Sequence, residues 1–226
     1  MSRRPTLYLI CRHVVIGPWL RFRGRPRIIG REHVPRRGAV ILAANHLAVS
    51  DSFYLTLAAR RPVSFLAKSD YFEGRGLRGR LTRRFFAGLG QIAVDRRGGD
   101  SARAALDAAS AILARGDAWG IHPEGTRSPD GDLHRGHTGV IRVAAGTGAP
   151  VVPVAIRGTR RDETARWNRV EVTFLPPMDL SATPTDDPTA IREATDALMN
   201  KIAVASGQRY ADTYARPPMP DTPQSA

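Results

Sequence analysis

Three observations predict an α/β fold, a layered sandwich around a largely parallel sheet that is flanked by helices. Strand-like and helix-like patterns alternate along the chain, which is typical of parallel sheets with helical crossovers. Several strand candidates are continuous apolar runs, as expected of strands that are buried on both faces. The 226 residues are 42% hydrophobic and 24% charged, a composition that fits one globular core.

Six apolar runs are predicted to form the sheet. They span residues 39–44, 63–67, 91–95, 118–122, 151–156 and 170–174. Between them, residues 101–115 place their apolar side chains on one helical face, and Gly116 is the expected stop. A late helix is predicted to begin near Asp187, because an aspartate followed by proline is a common helix start. Its apolar face consists of Ile191, Ala194, Leu198 and Ile202.

Composition divides the chain into three parts. Residues 1–29 form a basic amphipathic segment, which we expect to associate with a membrane. Residues 30–206 carry the alternating strands and helices and are predicted to form the main folded domain. Residues 207–226 end in the proline-rich "ARPPMPDTPQSA" and are predicted to be a flexible tail.

No transmembrane helix is predicted. The most apolar N-terminal stretch, "LYLICRHVVIGPWL", is interrupted by Arg12 and His13 and falls short of the ~20 residues that a span needs. Two interpretations remain open for it. It is a helix packed on the domain, or a helix lying in a membrane interface with Trp19 and Phe22 at headgroup level.

The net charge of +13 is concentrated in the first part of the chain. Residues 1–100 contain 20 basic and 6 acidic residues, whereas residues 101–226 contain 14 and 15. A one-sided basic surface predicts an anionic partner, which is nucleic acid, an acidic membrane or a phosphorylated substrate. The single cysteine, Cys11, excludes an internal disulfide framework and fits a reducing compartment.

The first candidate site follows the run 39–44, where His46 is succeeded five positions later by Asp51. On a continuous helix these side chains would point about 140° apart, so they meet only if a helix begins near Asp51. A carboxylate on one imidazole nitrogen leaves the other nitrogen to accept a proton. No serine lies in a nucleophile elbow, which favours activation of a substrate hydroxyl. The alternative is a capping aspartate beside an ordinary histidine.

Two further polar clusters follow other predicted strands. "HPEGTRS" comes after the run 118–122, and Arg96 comes after the run 91–95. Ligands of parallel sheets bind beyond the carboxyl ends of the strands, so we expect both clusters to lie beside His46. Arg96 and Arg127 offer planar guanidinium groups suited to a phosphate monoester. The alternative is a pair of solvated surface turns.

No metal site is predicted. "HPE" is similar to part of the zinc-deaminase motif, but the required pair of cysteines is absent. His134 and His137 are three positions apart and lack further candidate ligands, so we interpret them as loop residues.

Four blocks in order resemble the PlsC-like glycerolipid acyltransferases, the lysophosphatidic acid acyltransferase family. "NHLAVSD" fits N-H-x4-D, "GQIAVDR" fits G-x-x-F-x-x-R, "HPEGTRS" fits F-P-E-G-T-R-S, and "VVPVAI" fits a short strand centred on Pro153. The match covers roughly residues 30–180. Two positions depart from the family pattern: His122 replaces the usual phenylalanine, and Ala93 stands where an aromatic is frequent. We interpret His122 as a core histidine.

The resemblance implies transfer of an acyl group from an acyl thioester to the free hydroxyl of lysophosphatidic acid, which gives phosphatidic acid for phospholipid synthesis. The donor would be acyl-CoA or acyl carrier protein, and no cofactor is implied. His46 would act as general base and Asp51 would orient it. Pro153 would be structural or line the path of the donor. The implied phosphate site consists of Arg96, Glu124, Gly125, Thr126 and Arg127.

The expected location is the cytoplasmic face of the cell membrane, with peripheral or monotopic attachment to its anionic surface. One alternative keeps the chemistry and changes the acceptor to glycerol 3-phosphate or another lysolipid. A second is a basic nucleic-acid-binding module, but no helix-turn-helix, RNP-type block or zinc-finger spacing is present, so no nucleic acid is expected. A third is a lipid-binding protein with an inactive acyltransferase fold, against which the intact His46 and Asp51 argue.

Overall fold

The computed structural model describes residues 14, 16–68, 91–94, 101–160 and 169–216. The α-helices in this part are α1 (Ile16–Gly24), α2 (Asp51–Ala59), α3 (Ser101–Ala114), α4 (Gly139–Thr147) and α5 (Pro188–Ser206). The strands are β1 (Arg27–Ile29), β2 (Val40–Ala44), β3 (Val63–Lys68), β4 (Gln91–Val94), β5 (Ala118–Ile121), β6 (Leu133–His134), β7 (Val151–Arg157), β8 (Glu171–Phe174) and β9 (Tyr210–Ala211).

Seven of these strands form one sheet in the order β1-β8-β7-β2-β5-β3-β4. Neighbouring strands run parallel except β7 and β8, which are antiparallel. All six predicted strands are present, and the predicted fold class is confirmed. The strands β1, β6 and β9 were not predicted, because two or three residues carry no detectable periodicity.

Apolar layers cover both faces of the sheet, as the sandwich prediction requires. Along β2, alternate side chains enter opposite layers because successive Cβ atoms of a strand point to opposite faces. Val40, Leu42 and Ala44 pack with the α2 layer. Ile41 and Ala43 pack with α3, α4 and α5. The central strand is therefore buried along its whole length.

The predicted late helix begins as expected. The Asp187 carboxylate accepts the backbone N–H groups of Thr189 and Ala190, which satisfies two of the unpaired donors of the first turn of α5. Gly207 ends the helix with φ of 69°, a left-handed conformation that favours glycine.

Residues 207–216 differ from the predicted flexible tail. The strand β9 pairs with β6, and the Gln208 side chain donates to the Gly131 carbonyl. The carbonyl of Thr213 accepts the backbone N–H of Arg135 at 3.0 Å. These partners lie far away in sequence, so local composition did not reveal them. The prolines of the tail begin at residue 217, and residues 217–226 lie outside the described part of the chain.

The helix α1 packs on the domain through one side chain and exposes two aromatic side chains. Leu20 is buried, and its carbonyl accepts a hydrogen bond from the Tyr54 hydroxyl of α2. Trp19 and Phe22 are 57% and 72% exposed, and the Arg23 guanidinium lies 6.0 Å from the Trp19 ring centroid. Residues 1–13 of the predicted segment lie outside the described part. None of the helices described is long and apolar enough to cross a membrane.

Candidate active site

The carboxyl ends of two neighbouring strands bring the predicted polar clusters together. His46 follows β2, and the segment "HPEGTRS" follows β5, which is the parallel neighbour of β2. The backbone N–H of Ser128 donates to the His46 carbonyl at 2.8 Å, so the two segments are in contact. Arg96, which follows β4, lies outside the described residues.

His46 and Asp51 form the predicted pair. The helix α2 begins at Asp51, and the chain turns between the two residues, so the imidazole Nδ1 lies 3.0 Å from the carboxylate Oδ2. The same oxygen accepts the backbone N–H groups of Leu47 and Ala48 at 2.6 and 2.7 Å. Because a carboxylate only accepts, we assign the proton of His46 to Nδ1.

Asp51 is fully buried, yet it is held in the ionised form. Burial alone would raise its pKa. The hydrogen bonds from the His46 side chain and from the N–H of Ala48 act in the opposite direction, and the pKa of Asp51 lies below its usual value. The carboxylate is thus a stable partner for an imidazole that gains a positive charge.

Glu124 supports His46 from the other side. One carboxylate oxygen accepts the backbone N–H of His46 at 2.8 Å, and the other accepts the N–H of His134 at 3.1 Å. Burial raises the pKa of Glu124 to about 7, although both backbone bonds act in the opposite direction. Glu124 therefore joins the segment after β2 to the segment after β5.

The remaining imidazole nitrogen of His46 faces outward. The side chain is 18% exposed, and no group of the described residues bonds to Nε2. A histidine with one nitrogen bonded to a carboxylate and the other open to a ligand is arranged to remove a proton from that ligand.

His122, which the sequence suggested to be a core histidine, is also in contact with His46. Its ring stacks on His46, with the centroids 3.9 Å apart and 9° between the planes. Desolvation by its surroundings, together with the neighbouring His46, lowers the pKa of His122 to about 4, while Asp51 acts in the opposite direction. The ring is therefore neutral at pH 7.

Asn45 fixes the end of β2. Its side-chain oxygen accepts the N–H of Ile156 at 2.7 Å, and its amide donates to the Ile156 carbonyl and to Gln208. The residue before His46 is thereby bonded to β7 and to the segment after α5. The side chain of asparagine has both a donor and an acceptor, and the two hydrogen bonds to the backbone of Ile156 need one of each.

The other described residues that were predicted to form the site lie in the loop after β5 and in β7. Gly125 has φ of 75°, and Arg127 is exposed to solvent beside the contact between Ser128 and His46. Glu124 directs its carboxylate at backbone amides within the protein, so it holds the loop that carries Arg127. Pro153 is buried in β7, opposite Ala43 of β2.

Two contributors to the site, and the direction of the predicted site residue Glu124, were missed in the sequence. His122 and Gln208 carry no motif that marks their contacts, and the inward direction of Glu124 depends on the path of the loop. The one signal in the sequence for the contact of His122 was in the block "HPEGTRS". There His122 replaces an aromatic residue, so a planar ring is retained at that position.

Comparison with known proteins identifies the family to which this arrangement belongs. The sequence profile of the acyltransferase family matches residues 25–157, more than half of the chain. The chain belongs to the acyltransferase family. The match contains His46, Asp51, the segment "HPEGTRS" and β7, which are the elements that meet at this edge of the sheet.

Relatives within the acyltransferase family align with part of this chain. A 1-acyl-sn-glycerol-3-phosphate acyltransferase of Borreliella burgdorferi is 33% identical over 132 residues, which cover 58% of this chain and 51% of that protein. One of Limnanthes douglasii is 29% identical over 182 residues, covering 77% of this chain and 60% of that protein. The chain thus spans about half of the first and three fifths of the second.

A solved acyltransferase has the same fold. The crystal structure of the 1-acyl-sn-glycerophosphate acyltransferase PlsC from Thermotoga maritima matches with a TM-score of 0.62 and 26% identity. The alignment covers 86% of this chain and 76% of that one.

Proposed function

We propose that this chain transfers a fatty acyl group from an acyl thioester to the free hydroxyl of lysophosphatidic acid. The observation that carries the proposal is the outward Nε2 of His46, whose Nδ1 is bonded to the buried Asp51. The names of the relatives in Borreliella burgdorferi and Thermotoga maritima support lysophosphatidic acid as the acceptor.

The reaction proceeds by direct transfer. The acceptor hydroxyl gives its proton to His46 Nε2 as its oxygen attacks the thioester carbonyl carbon. The resulting tetrahedral intermediate breaks its C–S bond, and the thiolate that leaves takes the proton back from the imidazolium. Asp51 stabilises the imidazolium through Nδ1, and its lowered pKa keeps it ionised for this task. No group on the protein is acylated in this sequence.

The acceptor phosphate is assigned to the arginine-bearing loops. Arg127 is exposed and follows the glycine and threonine of the loop that contacts His46. A guanidinium group binds a phosphate through two parallel hydrogen bonds, which suits a phosphate monoester. Arg96 is proposed as the second arm of this site. The donor is acyl-CoA or acyl carrier protein.

The membrane surface is the proposed source of the acceptor. Exposed Trp19 and Phe22 of α1 combine apolar rings with neighbouring arginines, the composition of a helix that lies in an anionic interface. The cytoplasmic leaflet carries such anionic lipids, and we assign the protein to that face.

The test is thiol release from a long-chain acyl-CoA, with lysophosphatidic acid in detergent micelles. We expect wild type to release thiol and form phosphatidic acid, and His46→Ala to lose about 10²–10⁴-fold in kcat because the general base is gone. Asp51→Asn is expected to lose activity as well, since it cannot stabilise an imidazolium by charge.

The matched control is Asp117→Asn. This aspartate precedes β5, at the end of the strand away from the site, and is paired with Arg115 on the surface. We expect it to retain full activity. Equal activity of wild type and His46→Ala would contradict the mechanism. Activity of wild type with glycerol 3-phosphate or another lysolipid alone would change the acceptor and leave the chemistry intact.

A further inference from the structure

The imidazole of His46 is held by a second ring as well as by Asp51. The rings of His46 and His122 are separated by 3.9 Å between centroids and are nearly parallel. Phe65 of β3 lies 5.9 Å from His122, with 19° between their planes. Phe65 is buried, and the ring fits there because Gly120 of β5 has no side chain: a Cβ at Gly120 would lie 2.5 Å from Phe65 carbons. The ring of His122 therefore rests on a packed neighbour.

Hydrogen bonds fix the orientation of His122. Its Nδ1 lies 3.0 Å from the carbonyl oxygens of Ala44 and Asn45, and its Nε2 lies 3.0 Å from the Ser52 hydroxyl. Carbonyl oxygens only accept, so Nδ1 carries the proton and Nε2 accepts from Ser52. These bonds attach His122 to the chain just before His46 and just after Asp51.

A single hydrogen bond does not define the plane of an imidazole. The bond from Nδ1 to Asp51 fixes one atom of the His46 ring and still permits the ring to turn about that contact. A flat neighbour at stacking distance removes this freedom, since a turned ring would collide with it. Stacking also favours the imidazolium that forms on His46, because the face of a neutral aromatic ring attracts a cation.

We propose that His122 is a positioning residue for His46, which holds the plane of the His46 imidazole by stacking and so directs Nε2 toward the acceptor hydroxyl. This inference rests on the proposed function of His46 as general base. His122 itself takes part in no bond change. Its low pKa of about 4 leaves it neutral at pH 7, so it places no second positive charge beside the charged His46.

Three substitutions separate stacking from hydrogen bonding. His122→Ala removes both, His122→Phe keeps a ring of similar shape, and His122→Asn keeps a donor near the Nδ1 position without a ring. We expect His122→Ala and His122→Asn to lower kcat about 10- to 100-fold, because a misplaced catalytic group costs that much. His122→Phe is expected to stay within about fivefold of wild type. The KM values for both substrates should change less than about twofold, since no substrate contact is removed.

Two kinetic results would overturn the inference. The first is a wild-type kcat for folded His122→Ala, or an effect of that variant on KM alone. The second is an activity of His122→Asn equal to or above that of His122→Phe, which would make the hydrogen bonds decisive. If His122→Ala does not fold, the comparison of the asparagine and phenylalanine variants decides.

Nuclear magnetic resonance of ¹⁵N-labelled histidine provides a readout that needs no turnover. We expect the Nδ1–H proton of His46 to be protected from exchange in wild type and His122→Phe, and to exchange faster in His122→Ala and His122→Asn. Unchanged exchange in all variants would overturn the positioning role. Absence of turnover in wild type, with the exchange pattern as expected, would count against the proposed acyl transfer and not against the positioning of His46.

Discussion

Burial acts on three titratable side chains around His46, and their pKa values differ from the usual ones in different directions. Burial raises the pKa of Glu124 to about 7 and lowers that of His122 to about 4, whereas the pKa of Asp51 lies below its usual value because its hydrogen bonds act against burial. The consequence is that the His46 imidazole has an ionised partner at Nδ1 and a neutral ring on its face.

The pairing of His46 with Asp51 was predictable, since the five-residue spacing leaves one geometry in which the two side chains meet. The stacking of His122 was not, because it depends on the register of β2 against β5. That register is set by the packing of whole strands and not by neighbouring residues.

The substitution Glu124→Gln tests whether the Glu124 carboxylate stabilises the backbone at His46. The glutamine amide would direct N–H donors at the backbone N–H of His46 or of His134, where the carboxylate offered an acceptor to each. We expect the free energy of unfolding in urea to fall by about 1–3 kcal/mol, the cost of an unsatisfied buried donor, and kcat to fall with it.

The same variant tests the raised pKa of Glu124. A pKa raised from 4.5 to about 7 means that the folded state binds this proton more tightly than the unfolded state. The contribution of Glu124 to stability is then greatest below about pH 4.5 and is lost as the pH rises through about 7. The difference in unfolding free energy between wild type and Glu124→Gln should decrease over this range. Exposed Glu32→Gln is the control, and a difference that is constant with pH would contradict the shift.

At the scale of elements, the site is completed by a strand outside the main sheet. The strand β9 pairs with β6, and Gln208 connects the Gly131 carbonyl to Asn45, the residue before His46. Long elements such as β7 and α5 were predictable from their periodicity and caps. A strand of two residues such as β9 forms only through its distant partner, so its sequence carries no signal.

Gln208→Ala tests the connection between these elements. The substitution removes the acceptor for the Asn45 amide and the donor to the Gly131 carbonyl. We expect unfolding free energy to fall by about 1–2 kcal/mol, and kcat to fall because the end of β2 loses one of its bonds. Lys201→Ala, on the exposed side of α5, is the control and should change neither quantity. A loss of stability with unchanged kcat would limit the segment to a stabilising role.

At the scale of the whole molecule, the proposed membrane-facing side rests on charge and on apolar surface. The excess of positive charge lies in the first 100 residues, and α1, in the same part of the chain, exposes Trp19 and Phe22. The fold class was predictable because alternation of strands and helices is a property of the entire chain. The layout of the sheet, with β8 antiparallel to β7, was not, since strand direction follows from connections that periodicity does not encode.

Binding to anionic vesicles tests this surface. We expect Trp19→Ala/Phe22→Ala to weaken sedimentation with vesicles by at least about tenfold, because two aromatic side chains no longer leave water. Binding by wild type should also weaken as salt rises, since it combines apolar contact with screened charges. Val204→Ala removes another exposed apolar side chain, on α5, and should bind as wild type does. Equal binding by all three proteins would contradict the proposed role of α1.

The central place of β2 in the sheet has a consequence for the synthesis of the protein. Both neighbours of this wholly buried strand, β5 and β7, leave the ribosome after it. Asn45 and Gln208 are 163 positions apart, which at roughly 5–20 residues per second means a wait of about 8–30 s. During the earlier part of that time, until β5 and β7 have been synthesised, this apolar strand is without its sheet partners, as a chaperone substrate would be. The segment of Asn45 and His46, at the end of β2, can form all of its hydrogen bonds only after the chain has been translated as far as Gln208.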